Sequence, residues 1–405
     1  LERQSKPYLV LQLDEHDSNL GYETRIEAAV RAFRNHFALR SAGRDANLAD
    51  LARAAQRRRA SGNTGSSLPG DTPSGREKTT TALPRLNKRV GKKTLLLPNW
   101  DPVTVPLLAA NLRSVGVDAV ALPTSQKSVR RSMRHNSGQC LPVNIIAEDA
   151  LEYVRASGRP AADFVLWMVK ADWSCGIPRY PAFIKELFAK EGLGRLGVYV
   201  GDVTYIDLKP RALIGAYFAY QFGGWLRLLT CRTRPYEKEA GSTDRVATEV
   251  HSRLLRAFES GHGRKRALRH MVEAFASIPV NRTERPKVAL FGDLYVRDND
   301  VMNGDLIRTI EAAGGEAVTT PYSDYIKIIA SAQFAKLRKE RDVAGNAKYR
   351  VLASAIERVE KSYRGMVEPY LGPSLPWSRA GSEADLSRFG MIIEQHGESY
   401  ENILK

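Results

Sequence analysis

The chain has 405 residues, of which 43% are hydrophobic and 26% are charged. These values are ordinary for a globular protein and exclude a collagen-like, low-complexity or wholly disordered chain. Three cysteines are too few for the disulfide framework of a small secreted domain. The net charge is +16, and half of it comes from residues 41–93, which hold twelve basic and four acidic residues. The high net charge is therefore a property of this segment more than of the rest of the chain.

The first 93 residues divide into two predicted parts. Residues 7–14 alternate like a strand and residues 22–39 carry a helical apolar face, so we expect residues 1–40 to form a strand-helix segment that packs on the body. Residues 41–93 are rich in Ser, Gly, Thr and Arg and cannot bury enough apolar surface to offset the entropy of ordering. We predict a flexible, disordered basic linker there, with a short helix at 47–59.

Strand and helix patterns alternate through residues 94–230. The predicted strands are 95–97, 117–122, 164–169 and 198–202, and the predicted helices are about 103–115, 141–157 and 181–191. This alternation predicts a parallel, doubly wound sheet. We therefore expect an α/β fold whose first Rossmann-like domain is residues 94–230.

A helical middle segment is predicted at 209–278, which spans the boundary to the second predicted domain, 231–405. For the rest of that domain, which we expect to be Rossmann-like, the predicted elements are a strand at 287–291, a helix at 303–313, a strand at 316–320 and a helical region at 323–370. The most apolar stretch, 212–229, contains Arg227 and predicts a buried helix rather than a membrane span. The chain begins at Leu1 rather than at Met, so we expect a segment of a longer protein.

One helix start in the middle of the chain has a recognisable signal. The segment from Arg234 to Asp244 predicts a loop that leads into a long helix. We expect Ser242, Thr243 or Asp244 to cap that helix, because short polar side chains accept hydrogen bonds from the first free N–H groups.

Two cysteines lie where a ligand could be met. Cys140 directly precedes the predicted helix at 141–157, whose dipole favours a thiolate. Cys175 follows the predicted strand at 164–169, and ligands bind at the carboxyl ends of strands in doubly wound folds. Two interpretations stay open: the two thiols converge on one cluster, or both are small residues in tight turns. For Cys231, at the end of the apolar helix, we expect a packing role.

Common catalytic motifs are absent from the sequence. There is no CxxC, HExxH or GxSxG, no Walker A loop, and no GxGxxG after a strand. Nucleotide phosphate binding therefore has no support from motifs. His16 is flanked by carboxylates, and a helix-capping loop explains that pattern better than a metal site does.

Six segments, taken in order, resemble motifs of the large activase-related relatives of the 2-hydroxyacyl-CoA dehydratase family, which includes double-cubane cluster proteins. The family patterns are DEHs…G…TRlEA, a strand-helix-strand, SGkeClP, GPCRfGQY, iRPYE…pGeTD and GEiYVR…N. The corresponding segments are 14–28, 95–123, 137–142, 174–180, 234–244 and 291–303. The resemblance covers nearly the whole chain outside the linker.

The resemblance implies a site and a chemistry. Cys140 and Cys175 match cysteines that ligate an iron–sulfur cluster in this family, of the 4Fe–4S or double-cubane type. Tyr180 and Asn303 lie in segments that match the family and could meet a substrate or partner. Arg297 follows a predicted strand, where a ligand or partner could be met, and a structured loop with an Asp N-cap is the alternative there. An ATP-dependent activator would deliver one electron to the cluster component. The reduced component would then form a ketyl radical from 2-hydroxyacyl-CoA and eliminate water.

Three hypotheses for the function follow, in this order. The first is a cytoplasmic iron–sulfur electron-transfer or dehydratase-like component, with an activator as partner and acyl-CoA as a substrate class. The second is a cluster-free interaction or scaffold module of the same fold, because the family's further CMPG cysteine would lie past Lys405. Nucleic-acid binding through the basic linker is a distant third. Membrane contact is not expected, and homodimer formation stays open.

Overall fold

The computed structural model describes residues 92–136, 138–170, 177–202, 210–290, 293, 295–319, 321–323 and 343–371. The strand-helix segment and the linker predicted for residues 1–91 lie outside these ranges. Among the described residues, His135–Cys140 belong to one compact unit and all the others belong to a larger one. All the helices and strands named below belong to the larger unit.

A four-stranded parallel sheet forms the first part of the larger unit. Its strands are β1 (Thr94–Leu97), β2 (Ala119–Ala121), β3 (Phe164–Lys170) and β4 (Gly197–Asp202), in the order β2-β1-β3-β4. The first helices are α1 (Thr104–Arg113), α2 (Gln126–Ser132), α3 (Leu141–Ser157) and α4 (Tyr180–Lys190). The α/β class and the parallel sheet are thereby confirmed.

The strand β1 lies at the centre of the hydrophobic core. Leu95 and Leu96 are both fully buried, although successive side chains of a strand point to opposite faces of the sheet. Burial on both faces is typical of a parallel sheet that helices cover on each side. The short helix α2 was not predicted, because its sequence is polar. The local signal for it is a capping box between Ser125 and Ser128.

Three helices follow the sheet: α5 (Pro210–Thr233), α6 (Ser242–Glu259) and α7 (Arg264–Ala276). Helix α5 is largely buried, as predicted for 212–229. A Cβ atom added at Gly223 would lie 2.3 Å from Oγ1 of Thr104, so glycine is required where α5 crosses α1. Among the described helices, none combines the length and the apolar character that a membrane crossing requires.

The predicted cap of helix α6 is wrong. No side chain caps the helix from the N-cap position, which Gly241 occupies with a left-handed φ of 82°. The carboxylate of Glu237 instead accepts hydrogen bonds from the backbone N–H groups of Gly241 and Thr243, both at 2.7 Å. The hydroxyl of Ser242 donates to the same carboxylate at 3.1 Å. A side chain upstream of the helix satisfies the free donors. Ser242 and Thr243 donate to that side chain, and Asp244 instead accepts hydrogen bonds from Arg234 and Arg308.

A second, smaller sheet completes the described fold. Strands β5 (Lys287–Ala289) and β6 (Glu316–Val318) pair in parallel, and α8 (Leu306–Ala312) lies between them in sequence. This confirms the predicted β-α-β unit. A final helix, α9 (Val343–Leu371), covers part of the predicted helical region. One hydrophobic core includes buried residues from both predicted domains, such as Phe222, Phe258 and Val367.

Candidate functional site

The sheet topology points to the carboxyl ends of β1 and β3. The chain passes from β1 to β2 on one side and then to β3 on the other, so β1 and β3 lie at the topological switch point. In open α/β sheets, ligands bind in the crevice outside the strand ends at this point. The residues that follow β1 there are Asn99, Trp100 and Asp101.

A buried ion pair lies at this end of β1. The Arg227 guanidinium, from helix α5, donates to Oδ1 of Asp101 at 2.6 Å, and both side chains are nearly inaccessible to solvent. The carboxylate of Asp101 also accepts hydrogen bonds from the hydroxyl of Thr104 and from the backbone N–H of Val103. Burial alone would raise the pKa of Asp101, but Arg227 and these donors outweigh it and lower that pKa. The pair is therefore ionised and fixed in place.

The loop after β5 meets this ion pair. The same guanidinium donates to the backbone oxygen of Asp298 at 2.9 Å and to Oδ1 of Asp300 at 3.3 Å. The carboxamide of Asn299 donates to the backbone oxygen of Asn99 at 2.6 Å. The carboxyl end of β1 and the loop that follows β5 are thus joined through Arg227 and Asn299. This junction is called the strand-end site below.

Aromatic side chains cover the strand-end site. The indole of Trp100 packs against the rings of Trp167, Tyr220 and Tyr295, with ring centroids 5.8 to 6.3 Å apart. All four side chains are buried. The polar contacts of the site therefore lie in a water-poor environment, where electrostatic interactions are stronger than in water.

Some polar atoms of the strand-end site have no hydrogen-bond partner among the described residues. These atoms are Oδ1 of Asn99, Oδ1 of Asp298 and Nε of Arg227. In contrast, the side chain of Asp300 is 42% exposed. Burial raises the pKa of Asp300 above its ordinary value, although Arg227 acts in the opposite direction. Asp300 is therefore a partly exposed carboxyl group whose pKa lies above its ordinary value.

The structure describes one of the two predicted cluster ligands, Cys140, and not the other, Cys175. Cys140 is exposed and directly precedes helix α3, as predicted. In the turn before it, the backbone N–H of Gly138 donates to Oδ1 of Asn136 at 3.1 Å, and Gly138 has a positive φ of 97°. Cys175 lies outside the described residues, between the end of β3 and the 3-10 helix Ile177–Arg179.

The other predicted site residues are packed into the fold. Tyr180 is buried at the start of α4. Arg297 is 3% exposed, pairs with Asp298, and lies 4.9 Å from the ring centroid of Tyr322. The carboxamide of Asn303 donates to the backbone oxygen of Arg297 at 2.8 Å. Arg297 and Asn303 thus shape the loop of the strand-end site.

Cys231 packs, as predicted. It is 1% exposed and lies in a small apolar cluster with Leu290, Ile307 and Ala317. Burial raises the pKa of its thiol to about 12, so a thiolate, the form that ligates iron, is strongly disfavoured there.

The described residues alone do not supply a ligand set for an iron–sulfur cluster. They contain no group of three or more His, Cys, Asp or Glu side chains placed to hold a metal ion. Of the two described cysteines, only Cys140 is accessible.

Sequence reasoning missed the residues that hold the strand-end site together. The usable signal was Arg227, a charged residue inside the most apolar stretch of the chain. A charge in a buried helix requires an opposite charge nearby, and Asp101 directly after β1 was a candidate for it. We compared the chain with known protein families, curated proteins and solved structures, and none of them matches it.

Proposed function

We propose that this chain is an iron–sulfur electron-transfer or dehydratase-like component, related to the 2-hydroxyacyl-CoA dehydratases and their activases. In this proposal the thiolates of Cys140 and Cys175 ligate the cluster, and the fold contains two Rossmann-like units. An ATP-dependent activator is the electron donor, acyl-CoA is the substrate class, and the compartment is the reducing cytoplasm.

The observation that carries the proposal is the position of the cysteines relative to secondary structure. Cys140 directly precedes α3, and a helix N-terminus lowers the pKa of a neighbouring thiol. Cys175 belongs to the connection that leaves β3, one of the two strands at the switch point. The six ordered motif resemblances supply the chemistry.

The strand-end site supports the proposal through its own residues. Arg227 and Asp101 fix the carboxyl end of β1 against the loop after β5. The buried aromatic side chains around Trp100 shield the polar contacts at the end of β1 from water. Asp300 offers an accessible carboxyl group, as an elimination of water requires a group that moves a proton.

A cluster-free scaffold module is the second candidate. One observation favours it: Cys231, the remaining cysteine, is buried with a raised pKa and does not provide a third thiolate. A cluster would then need a non-cysteine or external third ligand.

Anaerobic reconstitution of the wild-type chain separates the two candidates. Iron and acid-labile sulfide are measured for wild type, Cys140→Ala, Cys175→Ala and Cys231→Ala. The electron-transfer proposal predicts iron and sulfide in wild type and in Cys231→Ala, and their loss in the other two variants. Absence of iron from wild type would contradict it and support the scaffold. Equal iron in all four proteins would also contradict cysteine ligation.

A further inference from the structure

Arginine side chains pack against one tyrosine, Tyr236, near the segment that leads to the second sheet. Tyr236 lies in a 3-10 helix directly after α5, and the segment 279–287 runs beside it on the way to β5. Two backbone hydrogen bonds fix this segment: Lys238 donates to the oxygen of Pro279 at 2.9 Å, and Asn281 donates to the oxygen of Tyr236 at 2.7 Å.

Two guanidinium groups pack against the ring of Tyr236. The guanidinium carbons of Arg282 and Arg285 lie 4.9 and 5.5 Å from the ring centroid. Arg282 also donates to the backbone oxygen of Arg232 at 2.7 Å, in the last turn of α5. Both guanidinium groups are thus held against one tyrosine side chain, and Arg282 is held in addition by its hydrogen bond.

Three arginines, Arg232, Arg282 and Arg285, and one carboxylate, that of Glu316, lie around Tyr236, and Glu284 is exposed between Arg282 and Arg285 in the sequence. The nearby carboxylate of Glu316 is buried and accepts a hydrogen bond from the hydroxyl of Tyr236 at 2.6 Å. Its other oxygen lies 3.7 Å from Nε of Arg232. Neither Arg282 nor Arg285 forms an ion pair with a carboxylate of the described residues.

Arg285 has no ion-pair partner for its guanidinium among the described residues. Its side chain is half-buried, and its Nε is buried without a hydrogen-bond partner among the described residues. A buried donor without an acceptor is costly, and an arginine always carries its charge. An anion bound at the accessible part of this guanidinium would compensate its charge.

We propose that Arg282 and Arg285 form an anion-binding site for a phosphate group, with Tyr236 as the platform that orients them. The planar guanidinium fork matches phosphate oxygens in a bidentate manner. The phosphate is either a single phosphoryl group or part of a diphosphate. This site is separate from the proposed cluster ligands and does not depend on them.

Calorimetric titration of the full chain with inorganic phosphate and with pyrophosphate tests the site, with sodium chloride at matched ionic strength as the blank. We expect saturable binding that Arg285→Gln weakens about tenfold or more. The matched control is Arg269→Gln, which removes an exposed guanidinium of α7 and should leave the affinity unchanged. Tighter binding of pyrophosphate supports a diphosphate ligand, and equal binding supports a single phosphoryl group.

Two results would overturn the proposal. One is the absence of saturable binding by a wild-type chain whose circular dichroism shows it folded. The other is an equal loss of affinity in Arg285→Gln and Arg269→Gln, which would reduce the effect to net charge. Arg282→Gln provides a second variant, and a loss of affinity there supports the site even if Arg285→Gln fails to fold.

Discussion

The two sheets of this protein differ in what covers them. In the four-stranded sheet, all four residues of β1 are buried. In the two-stranded sheet, all three residues of β5 are exposed, whereas Glu316 and Ala317 of β6 are buried. The first sheet is therefore stabilised mainly by burial of apolar surface, and the second gains less from that source.

Hydrogen bonds and ion pairs add stability at the second sheet, where less apolar surface is buried. Arg234 forms a two-pronged pair with Glu311 of α8, at 2.7 and 2.9 Å. Tyr236 donates to Glu316 of β6, and Arg227 holds the loop that follows β5. The difference teaches that directed contacts add to a small apolar cluster at the smaller sheet, whereas extensive apolar packing holds the larger one. The following substitutions are designed to test this contrast, from the largest expected effect to the smallest.

Arg227→Met should have the largest effect. It leaves the carboxylate of Asp101 buried without its counter-charge, so we expect a loss of about 3–5 kcal/mol in the free energy of unfolding. Urea titration followed by circular dichroism measures this loss. In an Asp101→Asn background the same substitution should cost much less, because no buried charge is stranded. A cost below about 1 kcal/mol would contradict the ion pair.

Asp149→Asn should change how stability depends on pH. Burial raises the pKa of Asp149 from 3.8 to about 7, although the hydroxyls of Ser128 and Thr124 act in the opposite direction. The native state thus keeps a proton that the unfolded chain releases, so wild-type stability should fall as the pH rises from about 4 to about 7 and then level off.

Between pH 5 and pH 8 the Asn variant should therefore gain about 2 to 3 kcal/mol relative to wild type. The hydroxyl of Thr124, now 2.6 Å from Oδ2 of Asp149, can still donate to the carboxamide oxygen. Unfolding curves at both pH values measure the difference. Parallel pH profiles for the two proteins would refute the shifted pKa.

Gly223→Ala tests the packing that holds the larger sheet. The new methyl group would lie 2.3 Å from Oγ1 and 3.0 Å from Cα of Thr104, so α5 must move away from α1. We expect a loss of about 2 kcal/mol, measured by thermal unfolding. Gly365→Ala is the matched control, since its Cβ would meet nothing within 4 Å and alanine favours a helix. Equal effects of the two substitutions would argue against close packing at this crossing.

Tyr236→Phe should have the smallest effect. It removes the hydroxyl that donates to Glu316 and keeps the ring, so we expect a loss of about 1 to 2 kcal/mol. Tyr370→Phe, at a side chain that is 47% exposed, should change stability by less than about 0.5 kcal/mol. Hydrogen exchange should place the loss in β5 and β6, and a uniform loss would contradict a local role.

The sequence predicted the elements that carry strong periodicity. Helix α3 has its predicted bounds, and the four strands of the larger sheet lie within a few residues of theirs. The spacing of apolar residues and the length of each apolar run are enough to predict these elements, because buried strands in a parallel sheet are short apolar runs. The unpredicted helix α2 depends on a local cap instead of on an apolar face.

The strand-end site could not be predicted in the same way. Its contacts join residues far apart in sequence, such as Asp101 with Arg227 and Asn99 with Asn299. Local patterns carry no information on such pairs, and only the buried charge of Arg227 gave a hint. The cap of α6 failed for a related reason, because Glu237 reaches the helix from a preceding loop.

Reversible reduction is the most direct test of the proposed electron transfer. The wild-type chain is reconstituted anaerobically, and its visible absorption is recorded before and after dithionite and after reoxidation. The proposal predicts a charge-transfer band that bleaches on reduction, returns on oxidation, persists in Cys231→Ala and is missing in Cys140→Ala. A wild-type protein without such a band, or a band that Cys140→Ala leaves unchanged, would contradict the assignment.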